Sequence, residues 1–189
     1  MGVIDQLKSK EESNRVKFVI YSFDDAKLNY WGITKCANIS ISRALEERFG
    51  EPSFPGPMQA KDSDYYNFSV IREPVERFIS MYKMNLERPE LCYLKEPLSV
   101  DELLEHIQNT PDSERNVHFK SQSYFIAPQG VIIPELYRVD ALNTLEQTLG
   151  VEIPYLNKSS TEKTVDLTEN QLNTIRETFR ADIDIWNNL

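Results

Sequence analysis

The chain has 189 residues, 40% of them hydrophobic and 27% charged, which suits one soluble globular domain with a full core. Twenty-one Lys and Arg against 30 Asp and Glu leave a net charge of −9, which argues against general nucleic-acid or anionic-membrane binding. Two cysteines, Cys36 and Cys92, make neither a disulfide framework nor a zinc quartet.

Residues 1–14 read as a polar lead-in with no apolar signal-peptide core, and Gln6 stands where a myristoylation motif wants Ser or Thr. No stretch approaches the roughly 18 apolar residues of a membrane span, so the cytoplasm is the expected compartment. Lys17–Phe23 and Leu28–Ile33 read as strands around a turn at Asp24–Lys27. Ile39–Phe49 reads as a helix with Ile41, Ala44, Leu45 and Phe49 inward, stopped by Gly50. Glu51–Asp64 is proline-rich and acidic and reads as a long loop, a kind of segment that often carries function.

Tyr66–Ile71 is the next expected strand, and Pro74 suits the first position of a following helix. Val75, Phe78, Ile79 and Tyr82 predict its buried face. Val100–Gln108 reads as a short amphipathic helix, Tyr124–Ile126 and Val131–Val139 as strands, and Leu142–Leu149 as a helix closed by Gly150. Thr168–Trp186 predicts one long helix, with Thr168 as cap and Gln171 at capping-box distance. This alternation predicts a single α/β domain over 1–189, with a central, mostly parallel sheet flanked by helices.

Two strand-to-helix joints carry the chemistry. In "GITKCANISISRALEERFG", Lys35 precedes a helix start that contains Asn38, Ser40 and Ser42. Helix starts offer free N–H groups and partial positive charge, so the joint suits an anion, although plain polar capping explains the same residues. The Walker A glycines and its Gly-Lys-Ser/Thr ending are missing. In "SVIREPVERFISMY", Arg72 ends a strand, and Arg77 and Ser80 share a helix face. Two guanidiniums and a hydroxyl suit a phosphate monoester. The alternative is a wet surface on which Arg77 pairs with Glu73 or Glu76.

Together the joints resemble the sulfotransferase superfamily, and within it the carbohydrate sulfotransferases of the chondroitin and HNK-1 type. "DDAKLNYWGITKCANISISRAL" is similar to that family's turn, strand and 5′-phosphosulfate loop. "VIREPVERFISMY" matches its 3′-phosphate motif, Arg-Asp/Glu-Pro-x-x-Arg-x-x-Ser-x-Tyr. "NVHFKSQSYFI", "YRVDALNTLEQTLG" and "FRADIDIWN" resemble its histidine segment, its later strand–helix unit and its end. Thr34 replaces the usual proline, Ile39 a hydroxyl residue, and Lys120-Ser121 the usual x-Pro.

The resemblance implies a P-loop-NTPase-like fold and transfer of a sulfuryl group from 3′-phosphoadenosine 5′-phosphosulfate to a hydroxyl, in that branch a sugar hydroxyl. It assigns Lys35, Cys36, Ala37, Asn38, Ile39 and Ser40 to the phosphosulfate, with Lys35 also catalytic, and Arg72, Arg77 and Ser80 to the 3′-phosphate. Lys158 and Ser159 in "YLNKSSTEK" are expected closing contacts on the nucleotide, or else a solvated loop. His118 is the expected general base, titrating near about 6.5 unless its site shifts it, with Asp62 and Asp64 in reserve. A histidine that merely bonds Gln122 is the alternative. The transfer needs no metal, and no metal-ligand cluster is expected, since His106 and His118 lie in different segments. A non-catalytic module for the spent nucleotide and a P-loop-like kinase remain the competing readings.

Overall fold

The computed structural model describes residues 19–61, 64–126, 135–154, 156 and 164–189. β1 (Val19–Phe23) and β2 (Leu28–Gly32) form a tight antiparallel hairpin, from Val19 opposite Gly32 to Phe23 opposite Leu28. The hairpin turns through a 3-10 segment at Asp24–Ala26 and a left-handed Lys27. β3 (Tyr66–Ile71) lies parallel to β2, and β4 (Glu135–Arg138) parallel to β3, in the order β1-β2-β3-β4. Parallel pairing forces long crossovers, and these carry the helices to both faces.

α1 (Asn38–Phe49) and α6 (Leu142–Leu149) cover one face. Ile41, Leu45 and Leu145 pack there on Tyr30, Phe68 and Val70. α2 (Pro57–Lys61), α5 (Gln122–Ile126) and α8 (Arg180–Asn187) lie on the other, where Ala60 meets Trp31, and Phe125 and Ile126 meet Ile33 and Ile71. Coverage on both faces explains why every residue of β2 is buried. α3 (Pro74–Glu87), α4 (Val100–Asn109) and α7 (Glu169–Thr178) make a separate helical core around Phe78, Met81, Leu103, Ile107, Phe119 and Ile175. The α/β architecture is therefore the one the sequence predicts.

Four expectations change. Tyr124–Ile126 is helical, within α5. The Asp182 carboxylate accepts from the N–H groups of Gln122 (2.7 Å) and Ser123 (2.8 Å), so a side chain 60 residues away caps the start of that helix. The C-terminal helix is two helices, broken at Phe179 (φ −111, ψ 33), although the capping box of Thr168 and Gln171 forms as expected. The break lets Phe179 stay in the helical core while Asp182 reaches α5. The buried face of α3 is rotated from the one expected: Pro74, Arg77, Phe78, Met81, Met84 and Asn85 are inside, and Val75, Ile79 and Tyr82 are only half-buried. Finally, the 51–64 segment contains α2, and Ser53 pairs with Ser22 of β1 through two 2.9 Å backbone bonds. That pairing protects part of an open sheet edge.

Candidate functional site

Registers align the carboxyl ends of β2, β3 and β4, so the chain after Gly32, Ile71 and Arg138 emerges on one side of the sheet. In open α/β sheets that edge is where ligands bind. Thr34–Ala37 forms the first turn there, with left-handed backbone at Lys35 (φ 68) and Ala37 (φ 57). Such conformations are costly for residues other than glycine, and within the turn the Cys36 N–H donates to the Ile33 carbonyl (3.3 Å).

The start of α1 carries no side-chain cap. Ser40 Oγ instead accepts from Leu156 N–H (3.1 Å), and Ser42 Oγ donates to the Ile39 carbonyl (3.3 Å). Asn38 Oδ1 is buried without a partner among the described residues. A Cβ on Gly32 would run into that oxygen, so the bare glycine leaves the room that the Asn38 amide occupies. Plain capping therefore does not account for the polar residues of this helix start. Ile39 is 58% exposed, so the residue that replaces a hydroxyl in the resembling family adds no side-chain donor and is not part of the core.

Lys35 is half-buried, and no described residue hydrogen-bonds its ammonium. Burial, joined by the nearby Arg72 and Arg77 guanidiniums, lowers its pKa, against the opposite pull of Cys92 and Glu87. A basic cluster thus forms within a strongly acidic chain. Cys36 is fully buried, its thiol is pushed up to about 11 by burial, and Sγ lies 3.1 Å from Gln122 Oε1. That makes it a poor nucleophile.

The second joint places Arg72 at the end of β3 and Glu73 as the cap of α3, with Pro74 at its first position. Arg72 Nε pairs only loosely with Glu76 (3.4 Å), leaving guanidinium donors for a ligand. Ser80 is half-buried, and no described residue hydrogen-bonds its hydroxyl. Arg77 differs from expectation. It is 1% exposed, and Nε donates to the Thr34 carbonyl (3.1 Å), Nη1 to the Lys120 carbonyl (2.8 Å) and Nη2 to Thr34 Oγ1 (3.4 Å). Its guanidinium neither shares an open face with Ser80 nor pairs with Glu73 or Glu76; it clamps the Lys35 turn from beneath. Thr34 Oγ1 also donates to the Val117 carbonyl (3.0 Å), which holds the turn where the resembling family has proline.

Gln122 joins the two joints. Its side chain accepts from Arg72 N–H (2.8 Å) and Cys36 Sγ and donates to the Arg72 carbonyl (2.8 Å). Sequence reasoning did not single out Gln122 or Asp182 as part of the site, and their partners lie 50 and 60 residues away. Lys120, fully buried, donates to the Asp112 (2.7 Å) and Ser113 (2.6 Å) carbonyls, with its ammonium 4.4 Å from the Tyr124 ring centre.

His118 is close enough to Lys35 and Arg77 to feel both charges, which, after burial, pull its pKa down to about 4. The expected titration near 6.5 is displaced accordingly. Its partner is Asn116, not Gln122: Asn116 Oδ1 lies 2.9 Å from both the His118 backbone N and Nδ1. Asp64 is eliminated as a nearby base. It pairs with Lys27 (2.7 Å) ahead of Leu28 and Tyr66, at the opposite end of the strands from Lys35. Asp62, Lys158 and Ser159 lie outside the described residues, and among those described no cluster of His, Cys, Asp and Glu could hold a metal. Nor is any described helix long and apolar enough to cross a membrane.

A family model described as "Sulfotransferase family" matches residues 34–184, from the Lys35 turn to the helix that carries Asp182. No curated protein and no solved structure matches the chain.

Proposed function

Because the chain belongs to the sulfotransferase family, we propose that it transfers a sulfuryl group from 3′-phosphoadenosine 5′-phosphosulfate to a hydroxyl, with a saccharide or glycoconjugate as acceptor. The observation that carries the reading is the uncapped start of α1 behind the left-handed Lys35 turn, set beside Arg72 at the carboxyl ends of neighbouring parallel strands. The saccharide part rests on the resemblance of the motifs to the carbohydrate branch.

In this reading Arg72 and Ser80 hold the 3′-phosphate, and Lys35 with the N–H groups of Ala37, Asn38, Ile39 and Ser40 holds the 5′ side; the N–H of Cys36, expected to share that role, is taken by the Ile33 carbonyl (3.3 Å). Arg77 acts from below, keeping the turn in its strained form. Sulfuryl transfer, like phosphoryl transfer, has a loose in-line transition state, so catalysis is positioning and charge stabilisation. The acceptor hydroxyl gives its proton to His118 as its oxygen bonds to sulfur. The bridging sulfur–oxygen bond breaks, and the leaving phosphate takes up that electron pair. Lys35 meets the charge developing there.

The alternative of a module that binds only the spent nucleotide is separated by turnover with radiolabelled sulfate donor. Nucleotide recognition is tested by thermal shift. Because ligand binding adds to folding stability, 3′-phosphoadenosine 5′-phosphate should raise the midpoint well beyond AMP at equal concentration. Equal shifts would remove Arg72 and Ser80 as a 3′-phosphate site. A Mg²⁺-dependent transfer from ATP would favour a kinase instead.

A further inference from the structure

The hydrogen bonds around Asn116 bear on which nitrogen of His118 is free. A backbone N–H can only donate, so the atom 2.9 Å from His118 N must be the amide oxygen of Asn116. The amide nitrogen is occupied elsewhere, donating to the Leu91 carbonyl at 3.1 Å. The orientation of the amide is thus set by two independent backbone partners. Its oxygen also lies 2.9 Å from His118 Nδ1. An amide oxygen cannot donate, so in the neutral ring Nδ1 must carry the hydrogen.

We propose that Asn116 is a positioning residue: its side-chain oxygen keeps the His118 proton on Nδ1, so that Nε2 presents its lone pair to the acceptor hydroxyl. This rests on the reading of His118 as the base. When the acceptor proton arrives on Nε2, the ring becomes imidazolium and its Nδ1–H still donates to Asn116, so the contact need not rearrange. Asn116 is 8% exposed and bonds the 3-10 segment Pro89–Cys92, whose Cys92 is an electrostatic neighbour of Lys35. The same amide therefore ties the base to a wall of the Lys35 site. Burial and the adjacent cations keep the ring neutral at ordinary pH, so its tautomer matters there.

The test is a ¹H–¹⁵N spectrum of the imidazole groups, which needs no substrate. Only His106 and His118 contribute, and exposed His106 is an internal reference. The expected parent spectrum has His118 protonated on Nδ1. Asn116→Ala should move it toward the tautomer mixture of His106 and lower turnover about 10²-fold, the lower end of what a positioned base contributes. The thermal shift with 3′-phosphoadenosine 5′-phosphate should persist. Asn116→Asp, which keeps an acceptor in place, should retain the Nδ1 tautomer, and Asn116→Leu, which fills the space without an acceptor, repeats the alanine test where that variant does not fold. A parent His118 protonated on Nε2, or an alanine variant with unchanged tautomer or full turnover, would overturn the assignment to Asn116. Full turnover in His118→Asn would instead overturn the base reading, and the catalytic meaning of Asn116 would fall with it.

Discussion

Acidification should destabilise the protein through His118 in a way that one substitution removes. The folded-state pKa is pulled from 6.5 to about 4 by burial and by Lys35 and Arg77. A depressed histidine pKa means that the unfolded chain binds the proton first. The stability is therefore whole above pH 6.5 and is lost as pH falls toward 4. The full shift corresponds to about 3 kcal/mol at 1.36 kcal/mol per pH unit. Between pH 7.5 and 5.0 the unfolded histidine is mostly protonated while the folded one remains neutral, so about 2 kcal/mol of that should disappear. Urea unfolding at the two pH values, for the parent and for His118→Asn, reads this directly. Lost hydrogen bonds in the variant contribute at both pH values and cancel in the comparison. The parent should lose about 2 kcal/mol more than the variant. Parallel losses would refute the reasoning, since they would mean that His118 titrates alike in both states. Saturating 3′-phosphoadenosine 5′-phosphate should shrink the difference, because an anion beside Lys35 offsets the repulsion that holds the histidine neutral.

Lys35→Ala should cost turnover more than nucleotide affinity, because the charge it meets develops at the leaving oxygen, whereas Arg72→Ala should abolish the preference for 3′-phosphoadenosine 5′-phosphate over AMP. Single-turnover rates and calorimetric affinities separate the two, and unimpaired turnover in Lys35→Ala would count against the proposed site. Arg77→Ala should lower folding stability by about 3 kcal/mol or more, since it strips charged donors from the buried Thr34 and Lys120 carbonyls. In urea titrations, a loss under about 1 kcal/mol would show that the guanidinium does not hold the turn. Tyr30→Phe should leave stability equal or raise it by about 1 kcal/mol, because the Tyr30 hydroxyl is buried without a partner among the described residues. A clear loss in the same titration would reveal a partner for that hydroxyl.

Most strands and most helices were legible in the sequence because each depends on spacing within one segment. Tyr66–Ile71, Leu142–Leu149 and the Thr168–Gln171 capping box appear where the pattern puts them. So do the two strand-to-helix joints at Lys35 and Arg72, which follow neighbouring parallel strands, since short motifs at strand ends carry their own geometry. The roles of Arg77, Gln122 and Asp182 were not legible. Helical spacing puts Arg77 level with Ser80, but only tertiary packing turns its guanidinium inward onto Thr34 and Lys120, 43 residues away in each direction. The strand-like run at Tyr124–Ile126 is helical, and the carboxylate of Asp182, brought in by the break at Phe179, satisfies the first N–H groups of that helix. The ordinary titration expected of His118 gave way for the same reason: burial and neighbouring cations belong to the assembled site. Local pattern determines which elements form and which residue types stand at their ends. Hydrogen bonds between distant segments, which no periodicity records, decide where the side chains at those ends point and what charge they carry.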